Sequence, residues 1–182
     1  MFIQTEPTPN PATLKFLPGR QVMPHGTADF PDSKNAQASP LAGRLFEVEG
    51  VRGVFLGSDF VSITKADGVS WQELKPLVLG TIVQHFVSGD PVVFEDQLAG
   101  RTSDGDSAVV TKIKELLDTR VRPAVARDGG DIIYRDFRDG VVFLRMQGAC
   151  SGCPSSTATL RHGIENMLKH FIPEVIGVRA VE

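Results

Sequence analysis

Apolar residues recur in this chain at two periods, and switches between the periods mark the elements. Residues 12–17 alternate, with Leu14 and Phe16 on one side, which predicts a strand that Pro18-Gly19 ends. Residues 18–40 are rich in Pro, Gly, Asp, Asn and Ser and read mostly as loop, with a short edge strand at 27–30. Ser39-Pro40 opens a helix as N-cap and first helical residue. Leu41, Leu45 and Val48 give it one apolar face, and it ends before Gly50. Residues 53–56 and 60–64 form a hairpin across Gly57-Ser58-Asp59. Ser70 caps the next helix, with Glu73 completing a capping box. Trp71, Leu74, Val78, Ile82 and Phe86 keep the helical period to Gly89, and Pro76 predicts a kink or a late start.

Residues 97–107 are polar, small and aperiodic, and read as a linker. Beyond them Val109, Ile113, Leu116, Leu117 and Val121 mark an amphipathic helix. Its tail passes Pro123 and stops at Asp128-Gly129-Gly130-Asp131, where a reversal with positive φ is expected. Residues 132–137 and 141–146 are two strands across Asp139-Gly140, a strong hairpin turn. Pro154 opens a helix whose face is Leu160, Ile164, Met167, Leu168 and Phe171. Pro173 stops it, and residues 175–178 read as a closing strand. The fold class is therefore α+β: two small two-layer domains, 1–96 and 108–182, each an antiparallel sheet with helices on one face.

Composition narrows the classes. Of 182 residues, 41% are hydrophobic and 23% charged, ordinary for a globular protein, and the formal charge of -3 argues against a basic nucleic-acid binder. Residues 1–100 carry 7 Lys+Arg against 11 Asp+Glu and residues 101–182 carry 12 against 11, too mild an asymmetry to name a partner. The N-terminus has neither a secretory nor a transit-peptide pattern, and no apolar run nears the ~20 residues of a membrane span. A cytoplasmic, reducing location without membrane partners is the expectation.

The only cysteines, Cys150 and Cys153, lie in Gly148-Ala149-Cys150-Ser151-Gly152-Cys153-Pro154-Ser155-Ser156, between a strand end and a helix start. The helix dipole and free amides at such a place are expected to lower thiol pKa. Two thiolates can grip one metal centre yet make only half of a four-sulfur shell. A thioredoxin-like dithiol belongs to a βαβ unit, whereas here an antiparallel hairpin precedes the pair. Zinc needs four ligands, and His162 stands nine residues past Cys153. Two copies around a two-fold axis supply four cysteines, for an iron–sulfur centre or for a shared zinc; spacing does not separate the two.

The sequence resembles the Nfu, or NifU-like, family of iron–sulfur cluster scaffold and carrier proteins. The C-terminal half carries Arg122-Pro123-Ala124-Val125, Asp128-Gly129-Gly130-Asp131-Ile132, the Gly148–Ser156 loop and Thr159-Leu160. The N-terminal half carries Thr8-Pro9-Asn10-Pro11-Ala12-Thr13-Leu14-Lys15-Phe16, Ser39-Pro40-Leu41-Ala42 and the region 50–64, similar to the family's N-terminal domain. The resemblance implies that Cys150 and Cys153 ligate a labile [4Fe-4S] cluster, with [2Fe-2S] as the alternative, bridged between subunits of a homodimer. It implies receipt from upstream assembly proteins and transfer to apo iron–sulfur enzymes, which is ligand exchange and not enzymatic turnover. It also implies a target-recognition or supporting role for the cysteine-free N-terminal domain. A bacterial cytoplasm is the simplest source, and a mature organellar form would look the same. Alternatives are a thiol–disulfide oxidoreductase using the pair, or a zinc-stabilised interaction module.

Elsewhere, bland readings prevail. His25, His85, His162 and His170 share no ligand spacing and read as solvated or core. Asp128 and Asp131 read as shaping the glycine reversal, Arg120, Arg122 and Arg127 as a solvated helix face, and Trp71 and Phe86 as core.

Overall fold

Strands with one apolar face need helices to cover it, and a computed structural model of the chain shows this done twice. It describes residues 1–94, 106–151 and 154–181, and of residues 154–156 the backbone alone. The chain divides into two units, Met1–Thr102 and Ser103–Glu182. Most of the expected linker, 97–105, lies outside the described residues. No described helix is long and apolar enough to cross a membrane.

In the first unit, β1 (Gln4–Pro7), β2 (Thr13–Leu17), β3 (Ala28–Phe30), β4 (Val51–Leu56) and β5 (Val61–Lys65) form an antiparallel sheet in the order β1-β2-β5-β4-β3. The edge strand at 27–30 and the central hairpin are as expected. β1 is not: its residues are mostly exposed, so it carries no apolar alternation to read. Phe16, Val54, Leu56, Val61 and Ile63 pack with Leu41 and Leu45 of α1 (Pro40–Phe46) and with Leu74, Val78 and Ile82 of α2 (Trp71–Ser88). Ser39 caps α1 by accepting from the Ala42 amide at 3.0 Å and donates to the Val92 carbonyl at 2.5 Å. α2 starts at Trp71, not late. Ser70 caps it through the Gln72 amide at 3.2 Å, and Pro76 and Gln72 both lie on its exposed face. A carbonyl that loses its N–H donor to proline on that face can be solvated, so the helix tolerates the ring there.

In the second unit, α3 (Ala108–Leu116) runs into a π-helical segment, Leu117–Val121, and then α4 (Arg122–Arg127). Here the Arg122 amide bonds the Leu117 carbonyl five residues back. Widening the helix by one residue where Pro123 would interrupt the ladder lets the segment continue through the proline. β6 (Gly130–Arg138), β7 (Val141–Gly148) and β8 (Gly177–Val181) form the sheet, in that order, with α5 (Pro154–Phe171) between β7 and β8. β6 and β7 are the expected hairpin, with Asp139 and Gly140 both at positive φ. The sheet is not wholly antiparallel: β8 joins β7 in parallel. A helix lies between them in sequence, and a helical crossover returns the chain in its original direction. Ile132, Val142, Leu144, Met146 and Val178 face Ile113, Leu117, Val125, Ile164 and Leu168, so the core lies on the helix side of the sheet.

Candidate functional site

The site forms where the N-terminal end of β6 meets the C-terminal end of β7. Gly130 pairs with Gly148 and Asp131 with Gln147. Gly129 and Gly148 take positive φ, +78° and +62°, which favours glycine at both turns. Three backbone bonds fold the loop inward: Ala149 N–H to the Gly129 carbonyl at 3.2 Å, Cys150 N–H to that of Gln147 at 3.3 Å, and Ser151 N–H to that of Gly148 at 3.1 Å. The Ser151 hydroxyl also donates to the Gly148 carbonyl at 2.9 Å. From the first turn of α5, the Thr157 hydroxyl donates to the Cys150 carbonyl at 3.1 Å.

Cys150 thereby sits inside the second unit's core, 7% exposed. Its thiol is pushed up to about 12, first by burial and then by the carboxylates of Asp128 and Asp131. This reverses the expectation of a lowered pKa. A helix start lies close in sequence, but the sulfur is out of water and faces negative charge, and both oppose a thiolate. Cys153, the other expected ligand, lies outside the described residues. Among the described residues no three His, Cys, Asp or Glu gather where a metal ion could be held.

The carboxylate beside this loop has a defined task. Asp131, 2% exposed, accepts from Arg122 Nε and Nη2, both at 2.8 Å, and from the Ile132 amide at 2.8 Å. Arg122 also donates to Asp118 at 3.0 Å. These carboxylate bonds hold its guanidinium well above the ordinary arginine range. Arg122 is thus not a member of a solvated face: it clamps α4 to the start of β6, beside the cysteine loop. Asp131 does shape the glycine reversal, by anchoring the strand that leaves it. The cross-strand neighbour of Asp131, Gln147, is also buried, and its Oε1 has no hydrogen-bond partner among the described residues. Nothing in the sequence pattern singled out Gln147 or the Arg122–Asp131 pair. The RPAV and DGGD segments held both ends of the pair, but only the structure brings them together.

The histidine readings stand where the structure tests them. His85 is fully buried in the first unit, with Nδ1 3.4 Å from Arg44 Nη1. Its pKa is lowered, chiefly by burial and then by Arg44.

Two family models match the chain: "Scaffold protein Nfu/NifU N terminal" over residues 3–89 and "NifU-like domain" over residues 113–179. The human "NFU1 iron-sulfur cluster scaffold homolog, mitochondrial" is 52% identical over 183 residues, covering all of this chain and 72% of its own length. The chain belongs to the Nfu/NifU family of scaffold proteins. Another member, "NifU-like protein 4, mitochondrial" of Arabidopsis thaliana, is 53% identical over 184 residues; the alignment takes in 98% of this chain and 65% of the relative. The chain therefore spans about two thirds of the length of these Nfu relatives. The solution structure of a NifU-like protein from Saccharomyces cerevisiae matches 51% of this chain and 84% of its own, at 27% identity and a TM-score of 0.46. The NifU-like match spans the whole arrangement just described, from Ile113 of α3 through the cysteine loop to β8.

Proposed function

We propose that the chain carries an iron–sulfur cluster, held by Cys150 and Cys153 of two copies, and passes it to apo-proteins. The observation that carries this reading is the cysteine loop itself, at the junction of β7 and α5 inside the NifU-like match. The human relative is named for an iron–sulfur cluster scaffold. Thiolate donors fit such a cargo, and a pair per chain fits a four-sulfur shell completed across a two-fold axis. A [4Fe-4S] cluster matches that shell, with [2Fe-2S] the alternative. Each ligation forms an iron–sulfur bond and sends the thiol proton to solvent; coordination lowers the thiol's pKa and has to offset the cost of deprotonating a buried Cys150. Only two ligands per chain hold the cargo, so an acceptor's thiolates can displace them stepwise. This is ligand exchange, not catalysis of a substrate's turnover.

The cysteine-free first unit serves, in this reading, to recognise acceptors or support the dimer. The family relatives carry "mitochondrial" in their names, which supports the organellar form over the bacterial cytoplasm expected from sequence. Cys150 itself, buried and with a raised pKa, is poorly placed to be the attacking thiol of a disulfide oxidoreductase.

Anaerobic reconstitution with iron and sulfide tests the proposal through visible absorbance, iron content and mass in solution. A brown dimer with about four irons per pair of chains is expected from Cys₄ ligation. A chain that stays colourless and monomeric sinks the reading, and tight zinc at about half an equivalent per chain favours the zinc module instead. Cys153→Ala and Cys150→Ala should each abolish cluster binding and leave the circular dichroism of a folded protein.

A further inference from the structure

Gly130 is a glycine for reasons of space. It is not among the glycines with positive φ and lies in the β6–β7 ladder opposite Gly148, so any residue could adopt its backbone. A Cβ built on it, however, would stand 2.5 Å from Cys150 Sγ, 2.8 Å from the Gln147 carbonyl oxygen and 2.9 Å from the Cys150 amide nitrogen. The thiol, nearest of the three, shares with the Gln147 and Cys150 backbone the volume that a side chain at 130 would fill. The Cys150 amide's bond to the Gln147 carbonyl and the Thr157 hydroxyl's bond to the Cys150 carbonyl fix the main chain there. Among the described residues Sγ itself is held by packing, as a member of the core that includes Ile113, Ile132 and Met146.

We propose that Gly130 is a positioning residue for Cys150: its missing side chain is the slot in which the cluster-free chain stores this thiol, so the ligand must leave the core before it can bind. The identity of the cargo rests on the reading above; the storage of the thiol does not. Stored, the sulfur is shielded from oxidants and stray metals. Released by local opening of the loop, it can turn to the surface. Cargo loading is then gated by a small opening of the β6–β7 end.

Thiol labelling of the metal-free full chain tests this. A Cys153→Ser background leaves one thiol, and the probe is Ellman's reagent at pH 8. Protection by a closed local structure should make Cys150 react on the order of 100-fold more slowly than in the urea-unfolded chain. Gly130→Ala in the same background should raise the native rate by about tenfold or more while circular dichroism stays folded. Labelling at the unfolded rate in the parent, or an unchanged slow rate in a folded Gly130→Ala chain, overturns the proposal. Should Gly130→Ala not fold in buffer, the stability it loses is measured in the osmolyte trimethylamine N-oxide and should be smaller in a Cys150→Ala background, where the sulfur contact is gone and the Gln147 carbonyl and Cys150 amide contacts remain; an equal loss in both backgrounds overturns the proposal. Because no cluster is present in these measurements, a failed reconstitution does not change their outcome, and slow labelling beside a colourless chain would separate the two claims.

Discussion

Replacing Asp131 by alanine removes the carboxylate that ties α4 to β6, and the structure sets the size of the loss. The buried Ile132 amide loses its 2.8 Å acceptor, and an unsatisfied buried donor costs about 1–3 kcal/mol. Arg122 loses two charge-assisted bonds, but its side chain is 32% exposed and keeps Asp118 at 3.0 Å. Its charge is therefore not stranded, and this part falls below the ~3–5 kcal/mol of breaking a fully buried pair. Together about 3 kcal/mol should be lost from the second unit. Asp131→Asn keeps an acceptor for both neighbours and should cost about half as much. Asp118→Ala touches only the exposed side of the same guanidinium and should cost about 0.5 kcal/mol or less.

Urea unfolding measures these losses unit by unit. The only tryptophan, Trp71, packs against Phe16 in the first unit, so its fluorescence reports that unit. Far-UV circular dichroism reports both units. With a urea slope of about 1–2 kcal/mol per molar for a domain this small, Asp131→Ala should lower the second unit's midpoint by about 1.5–3 M and leave the Trp71 transition in place. A shift under about 0.5 M, or an Asp118→Ala effect equal to that of Asp131→Ala, would refute the clamp as the origin of the stability.

Other outcomes follow from the same contacts. The Cys150 thiol titrates near its ordinary value of 9.0 when unfolded and near about 12 when folded. The stability of the neutral buried form is thus fully present below pH 9 and is lost as pH rises toward 12, at up to about 1.4 kcal/mol per pH unit. The difference in stability between the parent and Cys150→Ala, measured by urea unfolding at pH 8 and pH 10, should shrink accordingly; a pH-independent difference contradicts the burial. Gly57→Ala would place a carbon 2.2 Å from the buried Phe60 ring and should cost the first unit about 1–3 kcal/mol, read from Trp71. Ser39→Ala removes both the α1 cap and the bond to Val92, for about 1–2 kcal/mol by the same probe, and a neutral result would deny the cap its role.

Elements with strong local chemistry could be read directly from the sequence. Ser39-Pro40, Ser70, Asp139-Gly140 and the apolar face of α5 each carry their own cause within a few residues. What escaped depends on partners outside the element itself. β1 exists because β2 offers it an edge, and its own side chains say little. The parallel pairing of β8 follows from a crossover, and no pattern within β8 shows it.

The cysteine site shows the same limit most sharply, through the register of one hairpin. Counting back from the Asp139-Gly140 turn pairs Arg138 with Val141 and Asp136 with Phe143, and continuing the count would set Asp131 opposite Gly148. A bulge between Tyr134 and Asp136 shifts the ladder by one residue. Because side chains alternate along a strand, that shift decides which of them share a face. It brings Asp131 opposite Gln147 and Gly130 opposite Gly148, and Gly130 is the residue whose missing side chain leaves room for the Cys150 sulfur. The CxxC spacing announces the ligand type. Which β6 residue stands beside the first of those thiols depends on an irregularity in the middle of β6, which carries no chemistry of its own. The lowered thiol pKa expected beside a helix start therefore failed at Cys150, since the loop's small residues admit close packing as readily as they admit solvent.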